Sequence, residues 1–296
     1  SFVEPFQDEL VQLAHGVSVV NAETKSSVTV RGYKIHTEGD MRSQEKTVKN
    51  KSVNGFSACG TCEVKGIRYE KQGSKIYYIP LAHPILDQDR NQLFDENGHP
   101  LIHEWDASSL PYRSHESFAA TVAEIERAPT KAAKATIQKS TGIKSLPIFQ
   151  RVESMHYGRS SPRDWMHLFL NVIPNLIDLW TGRFKNIHGD YEIQPAVWEM
   201  IGEETASSAK LIPAAFTRRL PNIATERAAY NAEAYIFWFM YVMPIVLKDR
   251  FENPFYYTHA CALRDIMSTT IQFTITKAEI ETLRISIINW VRAYEK

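Results

Sequence analysis

This chain has little cysteine, no charge excess and no long apolar run. Three cysteines in 296 residues exclude a disulfide framework, and the one close pair, Cys59 and Cys62, suits a metal site or free thiols in a reducing compartment. The 34 basic and 34 acidic residues cancel. A dedicated DNA-gripping module normally carries a basic excess, because phosphate neutralisation supplies most of its affinity. A nuclease-like core, whose carboxylates offset a local basic channel, stays open. The most apolar stretch, Ala232 to Leu247, contains Glu233 and is broken by Pro244. It is too short for a bilayer and reads as a buried helix, so no membrane partner is expected. No signal peptide pattern, internal repeat or low-complexity tract is visible. The chain opens on Ser1-Phe2-Val3 and closes on Tyr294-Glu295-Lys296, and is expected to be part of a longer protein.

What is present is enough apolar residue, 44%, for one large core or two smaller ones. Asp8 to Gly16 reads as a helix and Ser27 to His36, alternating and β-branched, as a strand with Asp40 just past its end. Ile67-Arg68-Tyr69 and Lys75 to Pro80 suggest a hairpin turning at Gln72-Gly73-Ser74. Asp87 to Pro111 is polar and reads as loop. Ser114 to Ser140 is helical with an interruption at Pro129. A helix from Asp164 to Trp180 is capped by Ser160 or Ser161 and bent at Pro174. Thr181 to Ala224 is irregular with a short helix from Pro195. Three helices, Thr225 to Asp249, Tyr256 to Thr270 and Lys277 to Glu295, finish the chain, the last behind the capping box Thr276 to Glu279. Strands first and helices later indicate an α+β or α/β-like core with helical insertions.

Two-metal phosphodiester chemistry needs carboxylates converging from separate elements. Asp40 after a strand and Asp164 at a helix start are candidates, with Glu233 as the third because burying an unpartnered carboxylate in an apolar run is costly. Each has a plainer reading. Asp164 can be a helix-start acid favoured by the dipole, Asp40 a turn residue, and Glu233 a solvent-facing one, in which case Glu226 is the substitute. Glu203 and Glu204 read as solvated. Cys59 and Cys62 make half a zinc site, with His83 or His167 as a further ligand; two unligated thiols is the alternative. His167, one turn beyond Asp164, can also orient that carboxylate or a substrate phosphate. Cys261 reads as a packed apolar residue.

Taken together, Glu4-Pro5-Phe6, Gly39-Asp40, Asn54-Gly55-Phe56, Cys59-Gly60-Thr61-Cys62, His83-Pro84, Asp164-Trp165-Met166-His167, Arg219-Leu220-Pro221-Asn222, Ala232-Glu233 and Trp290-Val291-Arg292-Ala293-Tyr294-Glu295 resemble the catalytic region of transposon-encoded transposases. The likeness is to the CACTA (En/Spm) type and the related Kyakuja-Dileera-Zisupton group. It implies an RNase H-like mixed sheet with helical insertions and a helical C-terminal part. Residues 1–180 would form the first part of the core, with the cysteine knuckle at about 55–80 and a helical insert at about 114–140. Residues 181–224 would be an insertion, and 225–296 would complete the core. By position it implies a triad of Asp40, Asp164 and Glu233 holding Mg²⁺ or Mn²⁺, a possible Zn²⁺ site at Cys59, Cys62 and His83, and His167 as an auxiliary group. The implied activity is DNA strand cleavage and transfer at transposon ends, in a nuclear, homo-oligomeric synaptic complex. One departure is that Met41-Arg42-Ser43 follows Asp40 where members of the group carry Pro-Ala. The alternatives are a decayed or domesticated relative that binds DNA or protein without cutting, and a zinc-stabilised interaction module.

Overall fold

The computed structural model describes residues 3–51, 55–68, 77–87, 91–185 and 187–295. They form two compact units, Ser1–Asp164 and Trp165–Lys296.

Local signals lay out the first unit. Pro5 opens helix α1 (Glu4–His15) and Gly16, at φ 116°, ends it. Strands β1 (Val17–Val20) and β2 (Ser27–Val30) pair antiparallel, Val17 opposite Val30. The strand expected to run to His36 leaves the ladder at Val30. Its partner is only four residues long, and the Gly32 N–H turns to the Leu13 carbonyl of α1 at 3.2 Å. Asp40 therefore follows a stretch without ladder pairing and caps helix α2 (Met41–Val48). Strands β3 (Ile67–Arg68) and β4 (Tyr77–Tyr78) form the expected hairpin stem; its expected turn, Gln72-Gly73-Ser74, lies outside the described residues.

The supposed loop after Asp87 contains another ladder. Strand β5 (Ala82–Pro84) pairs antiparallel with β6 (Ile102–Glu104), His83 opposite His103. At the Asn97-Gly98 turn the Asp95 carboxylate accepts the N–H groups of Asn97 and His99 at 2.9 and 2.8 Å. Such a short polar ladder has no hydrophobic periodicity to announce it. Helix α3 (His115–Arg127) starts in a capping box between Ser114 and Ser117, and it buries Phe118, Val122 and Ile125 at helical spacing. Pro129 stops it, and Thr130 caps helix α4 (Lys131–Thr141), which ends at Gly142 in the left-handed region. These residues close a small core with Val48 and Ile143.

The second unit holds the larger core. Helix α5 (Trp165–Trp180) buries Phe169, Ile173, Leu176, Ile177 and Trp180. Helix α6 (Pro195–Ser208) adds Trp198 and Ile201. Helix α7 (Ala232–Phe237) continues through a π turn, Trp238–Val242, into α8 (Met243–Val246). Pro244 has no N–H to continue an α ladder, and the π turn just before it accommodates that. The Trp238 indole donates to Thr205 Oγ1 at 3.0 Å with both residues fully buried. Arg227 pairs with Asp178 and donates to the Pro174 carbonyl and the Tyr235 hydroxyl. Helices α9 (Pro254–Thr270) and α10 (Lys277–Tyr294) are joined by His259 stacked on Trp290, 4.6 Å between centroids.

The first unit ends at Asp164, and the apolar face of α5 belongs to the second core. The 181–224 stretch is likewise part of that core, through Ile193, Trp198, Ile201, Leu220 and Ile223. The chain is mixed α and β. Among the described residues every ladder has two strands and is antiparallel, so the mixed sheet of an RNase H-like core is not among them.

Candidate active site

Two hydrogen bonds bring the segments carrying Asp40 and Asp164 together. The Thr37 N–H donates to the Ser160 carbonyl at 2.7 Å, and the buried Gln44 carboxamide donates to the Pro162 carbonyl. One anchor lies on each side of Asp40, and both acceptors lie within four residues before Asp164. Asp40 itself is exposed, and its Oδ1 accepts the Ser43 N–H at 2.6 Å. It is a helix cap as well as a candidate ligand, with Oδ2 left unbonded among the described residues. Asp164 is half-buried and immediately precedes α5.

The dual role of Asp40 separates two effects. Asp40→Ala should lower the stability of the first unit by about 1 kcal/mol through loss of the cap, whereas Asp40→Asn, itself a good cap, should change it by a few tenths at most. Both should lose any metal-dependent activity. Denaturant melts of the two variants check this; equal stability loss would mean the carboxylate is not acting as a cap.

Beside α2 lies the cysteine knuckle. Cys59 and Cys62 are free thiols with Sγ atoms 3.1 Å apart, and the Cys62 N–H points at Cys59 Sγ at 3.3 Å. The Cys62 thiol and the Thr61 and Cys62 amides stabilise the Cys59 thiolate, helped by the Arg163 charge, and hold its pKa at about 5. Donating that bond, together with burial, pushes the Cys62 thiol up. Behind the knuckle Arg113 is buried, its guanidinium donating to the Cys59 carbonyl at 3.1 Å, Ser57 Oγ at 3.0 Å and the Thr141 carbonyl at 2.7 Å. Burial lowers its pKa, but Arg remains charged. Sequence reading missed Arg113 because its three acceptors lie far along the chain; the only hint was its place in a turn-rich stretch.

The pair fits half of a zinc site. His83 is ladder-paired with His103, ring centroids 5.1 Å apart, and its Nδ1 lies 3.1 Å from the Pro84 carbonyl. Among the described residues no group of three or more His, Cys, Asp or Glu side chains is arranged to hold a metal ion. The Cys59, Cys62 and His83 set is therefore not assembled. No family model, curated protein or solved structure matches this chain.

In the second unit, His167 is half-buried in the first turn of α5. Glu233 is exposed in the first turn of α7, whose Asn231 cap accepts the Ala234 N–H. The helix turns Tyr235, and the π turn Trp238 and Phe239, toward the core. The burial cost that singled Glu233 out is thus not incurred; a first-turn acid is favoured by the dipole. Glu226 is exposed as well. Glu203 and Glu204 lie within α6 rather than in a turn, and Glu204 pairs with Arg250 at 2.6 Å. Cys261 is half-buried within α9.

The thiols provide a test. Cys59 should be alkylated fastest of the three cysteines between about pH 5 and 8, where an ordinary thiol is still protonated. Zinc, if it binds the pair, should protect Cys59 and Cys62 together and leave Cys261 unaffected. Mass mapping after timed iodoacetamide treatment reads both. Uniform labelling would reduce the pair to ordinary thiols.

Proposed function

We propose that this chain is a transposase-type core acting on DNA, with RNase H-like architecture and strand cleavage and transfer as its chemistry. The observation that carries this reading is the double tether, Thr37 to Ser160 and Gln44 to Pro162, which holds the segments of Asp40 and Asp164 side by side. Such convergence from distant parts of a chain is what phosphoryl transfer requires of its carboxylates. Asp40 through Oδ2, Asp164, and Glu233 as third acid would hold Mg²⁺ or Mn²⁺, hard ions suited to carboxylate, water and phosphate oxygens. The ions would supply the charge that activates an attacking oxygen and steadies a leaving one. The chain's own part is positioning: the Ser43 amide fixes Asp40, and Gln44 fixes the segment leading to Asp164. DNA as partner, a synaptic homo-oligomer, nuclear location and zinc at Cys59 and Cys62 belong to the same proposal.

A second reading is favoured by specific observations. Asp40 is already engaged as a cap, Glu233 is exposed, and no three-ligand group is assembled among the described residues. A domesticated or decayed relative that binds DNA or protein without cutting accounts for these directly. Cleavage of a labelled DNA substrate by the full-length protein with Mg²⁺ or Mn²⁺, against the Asp164→Asn variant, separates the two. An acid-dependent product supports catalysis; no product with retained DNA binding supports the second reading.

A further inference from the structure

We infer that the exposed face of α2, continued by the bridge at its C-terminal end, is a docking surface for the phosphate backbone of duplex DNA. This rests on the reading of the chain as a DNA-acting core. Gln44 and Val48 are buried one turn apart on α2. Arg42, Lys46 and Lys49, spaced i, i+4 and i+7, lie on the opposite face. Arg42 and Lys46 are exposed, and Lys49, the C-cap, is half-buried.

A second segment of the first unit extends that stripe. Asn50 pairs with Ile143 in an isolated antiparallel bridge. The Lys144 N–H donates to the Lys49 carbonyl at 2.8 Å, and the Lys51 N–H to the Gly142 carbonyl at 2.6 Å. Exposed Lys144 therefore sits directly across from Lys49, while Asn50 and Ile143 turn inward and are buried. The Gln138 carboxamide of α4 donates to the Lys144 carbonyl at 3.0 Å, next to exposed Lys139 in the last turn of that helix. The side chains of Arg42, Lys46, Lys49, Lys51, Lys139 and Lys144 make no hydrogen bond or ion pair among the described residues.

Local stability does not account for this arrangement. Like charges four apart on a helix repel, as do like charges opposite each other across a ladder, and Arg42 in the first turn is disfavoured by the helix dipole. The 34 basic and 34 acidic residues of the whole chain cancel, yet no acid occurs from Ala128 to Val152. From Met41 to Lys51 the one acid is Glu45, which is half-buried and already has a partner. A polyanion relieves the repulsion, and what the surface lacks says which kind. Neither residues 41–51 nor 131–145 contain an aromatic side chain on which an unpaired base could stack. The contacts are therefore to phosphates, which position a duplex without reading its sequence. Helix α2 is about 12 Å long, the axial span of about three phosphates on one strand. It starts at its cap Asp40, so a backbone lying along it is led to the first candidate metal ligand.

The test is fluorescence anisotropy of the full-length protein with a labelled DNA duplex, in EDTA, across a salt series. Arg42→Gln, Lys46→Gln and Lys144→Gln should each lower the salt slope by about 0.9, the contribution of one phosphate contact on duplex DNA, and the triple variant by about 2.7. At about 0.1 M salt the triple variant should bind on the order of a hundredfold more weakly. Lys46→Arg should keep the parent slope. So should Lys25→Asn, which removes a charge between β1 and β2 at a left-handed position that asparagine tolerates. The three replaced side chains are exposed, and a melt of the triple variant controls for unfolding. A lowered slope upholds the surface even if the parent protein cuts no DNA, which would sink only the catalytic reading. A parent-like slope in the triple variant overturns the surface and leaves the catalytic reading standing. Parent protein that binds anionic lipid vesicles but no duplex overturns the surface in favour of a membrane partner.

Discussion

Asp164→Asn should reduce DNA cleavage by the full-length protein by at least about a hundredfold while leaving DNA binding and thermal stability unchanged. Removing one carboxylate weakens ion binding and misplaces the reacting oxygens, and misplacements of about an ångström alone cost on this order. The substitution keeps size and hydrogen-bonding capacity, so a helix-start role survives it. A second arm concerns the third acid. Glu233→Gln should lose cleavage like Asp164→Asn, and Glu226→Gln should retain it. Because Glu233 is exposed, its replacement has no packing consequence to confuse the result. The reverse order would move the third ligand to Glu226. Undiminished cleavage by Asp164→Asn would remove the triad altogether and assign the cutting to other residues.

Gly142→Ala should be the most damaging single methyl in the first unit, costing about 3 kcal/mol or more. Gly142 ends α4 at φ 76°, and an added Cβ would lie 1.9 Å from the backbone oxygen of Ser57. Neither partner is a flexible side-chain tip. The Lys51 N–H donates to the Gly142 carbonyl at 2.6 Å, and Arg113 bonds both Thr141 and Ser57, so the helix end is locked to the knuckle. The left-handed conformation contributes roughly 1–2 kcal/mol of the cost and the forced shift a further 1–3. Gly98→Ala is the control: φ is 80° and nothing lies within 4 Å of the new Cβ, so only the conformational part applies. Chemical denaturation of both variants, together with Cys59 alkylation as a reporter of knuckle integrity, reads the difference. Equal losses would mean that the knuckle yields freely at Ser57.

The elements legible in the sequence are those whose causes are local. Ser114 with Ser117, Thr130 with Gly142, and Thr276 with Glu279 each start or stop a helix through groups within a turn or two. The apolar spacing of Phe169, Ile173, Leu176 and Trp180 marks the buried face of α5. The cysteine knuckle and the stem at Ile67 and Tyr78 were visible for the same reason.

What only the tertiary structure decided depends on partners far along the chain. The strand after Ser27 stops where its partner runs out, so Asp40 becomes the cap of α2 rather than a strand-end acid. Glu233 was chosen because its neighbours are apolar; which face of α7 meets the core is set by Tyr235, Trp238 and Phe239, and the carboxylate lies off it. Arg113 is silent in the sequence because burying a guanidinium depends on acceptors at Ser57, Cys59 and Thr141 converging from outside its own element. The pairing of the Asp40 and Asp164 segments is of the same kind: two hydrogen bonds between groups more than a hundred residues apart, which no local pattern encodes.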